Sequence, residues 1–429
     1  MFRFLTSHRD FGLFWGAILC VNLAVQIEAV TIGWQIYAMA RTTRSVYESA
    51  FMVGMVGLAQ FVPLFILTLF AGTLADRVSR RAIVLVSVAV EALCALALAI
   101  LAFQPDHWFG SIFAIAAIFG AARAFLSPAA TALTPMLVPR SEMPQAISLK
   151  SLGWQASVIV GPWIGGMLVA ISAGAAYLGA VALYLLGCLI ILRMRTNTTP
   201  ARQAGNALTL IREGLAYVWS NKIILGAISL DLFAVLLGGV TALLPAFAAD
   251  VLDVGPNGFG LLRSGPAVGA TLMAIALARW PLKRHAGTRM LWSVAAFGLA
   301  TLVFALSRNI YLSMLALAVL GAADMISVYV RQTLVQIVTP DHMRGRVSSV
   351  SGLFIAGSNE LGEFESGVVA RFLGPVGAAV LGGVGTLIVT GTWAWGFPDL
   401  RKADRLDAIP PEMESEETLA PHAKITPAS

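Results

Sequence analysis

Apolar runs long enough to cross a bilayer recur from one end of this 429-residue chain to the other, and nothing else in the sequence restricts the fold as much. A hydrocarbon core takes about 20 apolar residues per helix, whereas strands of a membrane barrel alternate apolar and polar residues in segments of about 10. The runs here do not alternate. They read as helices, and a mean hydropathy of +0.80 with only 12% charged residues places the chain among all-α polytopic membrane proteins.

Twelve spans are expected, over 11–38, 48–71, 82–103, 108–138, 145–171, 174–194, 223–249, 256–279, 288–307, 309–338, 346–370 and 374–397. Little chain remains outside them, which excludes a large extramembrane catalytic or nucleic-acid-binding domain, so the isoelectric point near 9.5 needs another origin. With both termini cytoplasmic, 22 of the 29 arginines and lysines fall in cytoplasmic segments or towards the cytoplasmic ends of spans, four in the opposite loops (Arg41, Arg44, Arg308 and Arg371) and three deep within spans. This asymmetry is the bias that orients helices on insertion. It also favours an even number of spans, since removing one would reverse every later loop. The start, MFRFLTSHRDF, lacks a small-residue cleavage site after its first apolar run and reads as an uncleaved first helix. Cys20, Cys94 and Cys188 fall within spans as apolar fillers, and the five histidines lie in loops or tails without metal-like pairing. No metal and no cofactor are expected.

The longest polar interruption, Arg193 to Lys222, lies near the midpoint and divides the chain into a first half (1–194), a cytoplasmic linker (195–222), a second half (223–397) and a disordered tail (398–429). Within the linker, Asn206 can cap a helix whose Leu208, Ile211, Leu215, Val218 and Trp219 share one face, expected on the cytoplasmic surface with Trp219 toward lipid. A weak internal repeat supports two related halves: ALTPMLVP (132–139) and TLVQIVTP (333–340) each end the fourth span of their half.

Between the second and third spans stands GTLADRVSRR, Gly72 to Arg81. It resembles the loop signature of the major facilitator superfamily, G-x-L-A-D-R-x-G-R-R/K, with Ser79 at the usual glycine. The fold implied by that resemblance is twelve helices in two pseudo-symmetric six-helix halves, and the role implied for Gly72, Asp76, Arg77, Arg80 and Arg81 is a latch between the halves. Asp76 is the implied centre of the latch, with the arginines facing the anionic inner leaflet. The alternative for the arginines is an ordinary positive-inside loop.

SVIVGPWIGG, Ser157 to Gly166, is similar to the exporter-type helix motif of the superfamily, with Gly161, Pro162, Gly165 and Gly166 in place. Proline breaks the backbone ladder and glycines allow close packing, so such a helix can bend or slide; generic small-residue packing is the alternative. Together with ARAFLSPAATALTPMLVP, IREGLAYVWSNK and PDHMRGRVSSV, these segments resemble the branch that holds the enterobactin exporter and macrolide-drug efflux proteins.

Ionisable residues within spans cost about 2.5–3.5 kcal/mol each at the centre of an inserting helix, so each is a functional candidate. Arg123 and Asp324 lie sixteen residues before Pro139 and Pro340, at equivalent positions of the repeat. Asp324 is expected to be the proton-coupling or cation-binding carboxylate with Arg123 as its counterweight across a central cavity; a permanent structural ion pair is the alternative. Glu28 and Asp231 are second candidates, Glu28 lining the cavity. Glu360 and Glu363 share a helix face and suggest gating or proton access, or else a wet outer mouth. Arg263 and Glu91 read as structural or snorkelling groups.

The resemblance implies a secondary transporter of a bacterial inner membrane, both termini cytoplasmic, that exports an amphipathic small molecule in exchange for protons as a monomer. Uptake or flipping of a metabolite or lysolipid is the alternative within transport. A membrane enzyme or receptor would need a clustered nucleophile, a metal site or an extramembrane domain, and no phosphate-binding loop for ATP is present.

Overall fold

The computed structural model describes residues 2–75, 78–104, 109–196, 207–282 and 284–403. Its spans are α1 (Arg9–Arg41), α2 (Val46–Ala75), α3 (Arg80–Ala102), α4 (Phe109–Leu137), α5 (Met143–Ile171) and α6 (Ala173–Leu192), then α7 (Lys222–Val251), α8 (Gly255–Arg279), α9 (Ala286–Leu306), α10 (Ile310–Val338) and the helical stretch Asp341–Gly396. That last stretch is interrupted at Gly374 (φ 75°, ψ 167°), giving α11 (341–373) and α12 (375–396). The chain reverses there, because Gly362 before the break and Gly382 after it both pack on residues 235–238 of α7. All twelve expected spans are present. Several start on the polar side chains that the sequence supplies: Asn221 accepts from Ile223 and Ile224 N–H at 3.1 Å, Asn309 from Tyr311 N–H at 2.9 Å and Ser172 from Ala175 N–H at 3.0 Å.

The seventh span departs from the regular helix that its apolar run predicts. It breaks at Gly239, continues through a 3-10 turn, Val240–Leu243, and finishes in a π-helical turn, Phe247–Val251. A broken ladder within a membrane requires other partners for the freed groups. The Gly239 carbonyl finds one in the Ser366 hydroxyl, at 2.7 Å.

The linker holds a surface helix, Ala207–Ser220, as its pattern predicts, and among its described apolar residues only part of the face is covered. Val218 is buried with Gly214 against α10 and α11, while Trp219 is 69% exposed. Tyr217 Oη donates to Val338 O at 3.1 Å and Glu213 pairs with Arg346 at 2.6 Å, so the helix is fastened to the second half. Asn206, its expected cap, lies outside the described residues. The tail expected to be disordered from residue 398 begins with a short helix, Pro398–Lys402, whose Leu400 is buried against α9, while residues 404–429 lie outside the described residues.

α1–α6 pack among themselves, as do α7–α12, and the two groups meet chiefly through α2 with α11 and α5 with α8. Glycine makes both meetings close. A Cβ on Gly54 would stand 2.8 Å from Gly367 Cα, and one on Gly166 would stand 2.7 Å from Pro256 O and 3.0 Å from Gly260 Cα. Around these contacts one apolar core runs across both halves, through Val30, Val53, Leu244, Phe247 and Phe259. It lies at the end opposite the termini, where Asp250 also accepts from Tyr37 Oη and pairs with Arg41 at 3.0 Å. Nearer the termini the cores are separate, one around Phe14, Val88 and Tyr184 and another around Leu230, Met290 and Leu334. Among the described residues, the apolar seal between the halves thus lies at the end opposite the termini.

A side chain at Gly166 acts on that seal. Gly166→Val is expected to weaken the closed arrangement by about 1–3 kcal/mol through overpacking, read as a lower Tm of the purified protein in detergent. Gly391→Ala, with open space around it, should not lower the Tm.

Candidate functional site

Between the halves lies a cavity of about 380 Å³, walled by α1, α5, α7, α8, α9, α10 and α11. A smaller chamber of about 170 Å³ adjoins it between α1, α2, α4, α5, α7, α8 and α11. Gln26, Thr241, Arg263 and Glu363 line both. Apolar walls with a few convergent polar groups are the usual form of a small-molecule site.

Asp324, on α10, lines the large cavity, and no hydrogen bond or ion pair engages it among the described residues. Behind it Asp231 of α7 pairs with Arg331 of α10 at 3.4 Å, both almost fully buried. A void of about 10 Å³ lined by Asp231, Asp324 and Ser327 lies among these groups, near the smallest that admits one water. The cation beside Asp324 is therefore Arg331, which corrects the expected partnership with Arg123. The repeat gives Arg123 and Asp324 equivalent places in their halves, but that does not bring their side chains together. Arg123 instead reaches across the interface, its Nη1 3.8 Å from Glu360 Oε1, in the smaller chamber.

Glu363 also faces the chambers, its side chain against Gly57 of α2. Arg263, read from the sequence as structural, lines both chambers. The depth of a lone arginine in a sequence does not reveal whether it points to lipid or to the interface.

Glu28 is the second correction. It does not line the cavity; it is fully buried within the first half, accepting from Tyr184 Oη at 2.8 Å. Thr31 and Gln35 continue the same stripe at helical spacing, and Gln35 accepts from Tyr177 Oη at 2.6 Å. The polar stripe of α1 thus faces α6, and Gln26, on another face, is the residue that reaches the cavity. Glu91 is fully buried too, and neither of its oxygens has a hydrogen-bond partner among the described residues.

The motif residues are also placed. Gly72 lies in the last turn of α2, while Asp76 and Arg77 lie outside the described residues. Arg80 donates to Ala132 O at 2.7 Å, and Arg81 to Ile191 O at 3.0 Å and Leu192 O at 2.7 Å. Both arginines therefore bind carbonyls towards the C-terminal ends of α4 and α6. Helix ends leave such carbonyls unpaired and partly negative, which is why cations settle there. In α5, a Cβ on Gly165 would stand 3.2 Å from Ile27 Cα of α1 and one on Gly161 only 2.5 Å from Gln26 Cβ, while Gly166 and the Pro162 carbonyl face Gly260 of α8. One face of the motif packs within its half and the other across the interface.

A family model described as transmembrane secretion effector matches residues 5–424. The chain belongs to this family. It is a multi-pass membrane transporter of the major facilitator superfamily with a small-molecule substrate, and not an enzyme. The enterobactin exporter EntS of Escherichia coli strain SMS-3-5 / SECEC is 24% identical over 415 residues, 96% of this chain and 97% of that protein. EntS of Shigella boydii serotype 18 is 25% identical over 386 residues, 90% and 91% of the two chains. Among solved structures, a POT family transporter in complex with 5-aminolevulinic acid superposes with a TM-score of 0.71 at 11% identity, over 92% of this chain and 97% of that one. A D-xylose-proton symporter does so with 0.70 at 12%, over 92% and 99%. These likenesses establish the fold.

The buried pair yields a prediction. Arg331→Met leaves Asp231 without its cation and is expected to destabilise the protein by about 3–5 kcal/mol, seen as loss of folded protein in size-exclusion chromatography. Adding Asp231→Asn should recover part of that loss.

Proposed function

We propose that the protein exports an amphipathic small molecule across a bacterial inner membrane by alternating access, in exchange for protons, with both termini in the cytoplasm. The observation that carries this reading is the chambered cavity between the halves, lined by ionisable groups and sealed at the end opposite the termini. With the termini inside, that arrangement is the inward-facing state. Export as the direction draws on the secretion family and on the name of the EntS relatives.

Asp324 is the leading coupling carboxylate in this reading. It meets the cavity directly, and beside it the Arg331–Asp231 pair already satisfies its own charges, so a proton or a cationic substrate group is what Asp324 can still accept. Arg123, Glu28, Asp231, Glu360 and Glu363 complete the charged set. Apolar walls such as Leu317, Leu320 and Phe297 suit the greasy part of an amphipathic cargo.

The test is substrate-triggered proton movement in inside-out vesicles under an imposed pH gradient, scanning catecholate siderophores, macrolides and cationic dyes. Proton release with one compound class, lost in Asp324→Asn at normal protein level, is expected. Transport of the same compounds without proton movement would overturn the exchange, and transport only toward the cytoplasmic side would overturn export.

A further inference from the structure

Three carboxylate oxygens inside the first half meet no donor. Glu28 of α1 and Glu91 of α3 are fully buried; Tyr184 serves Glu28 Oε2, while Glu28 Oε1 and both oxygens of Glu91 have no hydrogen-bond partner among the described residues. The titratable groups within electrostatic reach of the two are Tyr177, Tyr184 and Cys188 from α6, Cys94 from α3 and Arg123 from α4. Arg123 is the cation of that set, yet its guanidinium is turned to the interface, toward Glu360 of the other half. Glu360 is in turn faced by Arg123, Arg263 and Glu363.

We propose that Glu28 and Glu91 form an occluded proton-binding site inside the first half, and that Arg123 exchanges between this site and Glu360. Occupancy of the site is thereby converted into an ion pair between the halves. This deepens the alternating-access reading and rests on it.

An ionised carboxylate removed from water requires a cation or donors. The structure offers the Glu28–Glu91 site two cations: a proton, or Arg123. When a proton occupies it, an O–H bond forms on a carboxylate as a hydronium gives up that proton and is left as water, and Arg123 is left to Glu360, the arrangement seen here. When the proton returns to water, an uncompensated negative charge within electrostatic reach of Arg123 lies in its own half, and the pair to Glu360 is lost. Arg123 lines the smaller chamber, which reaches the cross-half contacts at Gly33 and Pro245. Loss of the pair therefore loosens the halves at the sealed end.

The experiment reads the separation of the halves at that end by electron paramagnetic resonance. Spin labels are placed at Thr43→Cys and Asn309→Cys in full-length protein in nanodiscs, with Cys20, Cys94 and Cys188 replaced by alanine. The parent should show a short and a long distance, the short one losing population as pH rises. Glu28→Gln with Glu91→Gln mimics the occupied site and should stay short at every pH. Glu360→Gln removes the partner across the interface and should favour the long distance throughout. If the double variant folds poorly, Glu91→Gln alone should still displace the titration. A double variant that titrates like the parent, or a Glu360→Gln protein whose distances match the parent, overturns the proposal. A single distance in the parent at every pH and with every transported compound overturns alternating access itself, so the two failures are distinct.

Discussion

A charge inside a bilayer needs an opposite charge, a hydrogen-bond donor or a wet cavity, since lipid supplies none of these. In this protein that requirement is met differently in each region. Arg331 and Asp231 settle it permanently, side by side in the second half. Arg123 and Glu360 settle it across the interface, at 3.8 Å and next to open volume, an arrangement that motion can undo. Arg80 and Arg81 settle it on helix-end carbonyls, which makes them ties between the spans of one half. The same residue type therefore does three different jobs, and the neighbouring backbone decides which.

Glycine supplies the other half of the design. With a side chain at Gly54, Gly166, Gly260 or Gly367, the backbones of α2 and α11, and of α5 and α8, could not approach as they do. Packing is what holds helices together where there is no hydrophobic gain on leaving lipid. Such interfaces are close but carry little that is chemically specific, so they can part and reform. Polar anchors at the rim, the Tyr37 and Arg41 contacts to Asp250, add orientation to that contact.

The twelve spans and the two groups of six were legible because span length and apolar content are properties of each segment alone. The close packing of the GPxxGG glycines was legible for the same reason, since the lack of a side chain is a property of the residue alone. Partnerships were less accessible. Arg123 and Asp324 are equivalent by position along their helices, yet which group each meets depends on rotation about the helix axis and on the crossing of neighbours. Glu28 failed for a readable cause: Thr31 and Gln35 follow it at spacings of three and four, so a polar stripe was present, but a polar stripe faces other polar groups as readily as a cavity. The break at Gly239 gave only a pair of glycines as a signal, and glycine pairs are frequent in this chain.

Gly374 joins α11 to α12 with one residue outside helical geometry, and the ring of Tyr47 from the first half stands against it. A turn so short has no slack, so the two helices it joins must tilt as a unit, and neither can slide along its axis without dragging the other. It also leaves scarcely any backbone protruding from that corner of the molecule. An antibody or a toxin approaching this corner would meet a glycine, a proline and the edge of a tyrosine, and insertions that decorate longer loops in other proteins have no site here from which to grow.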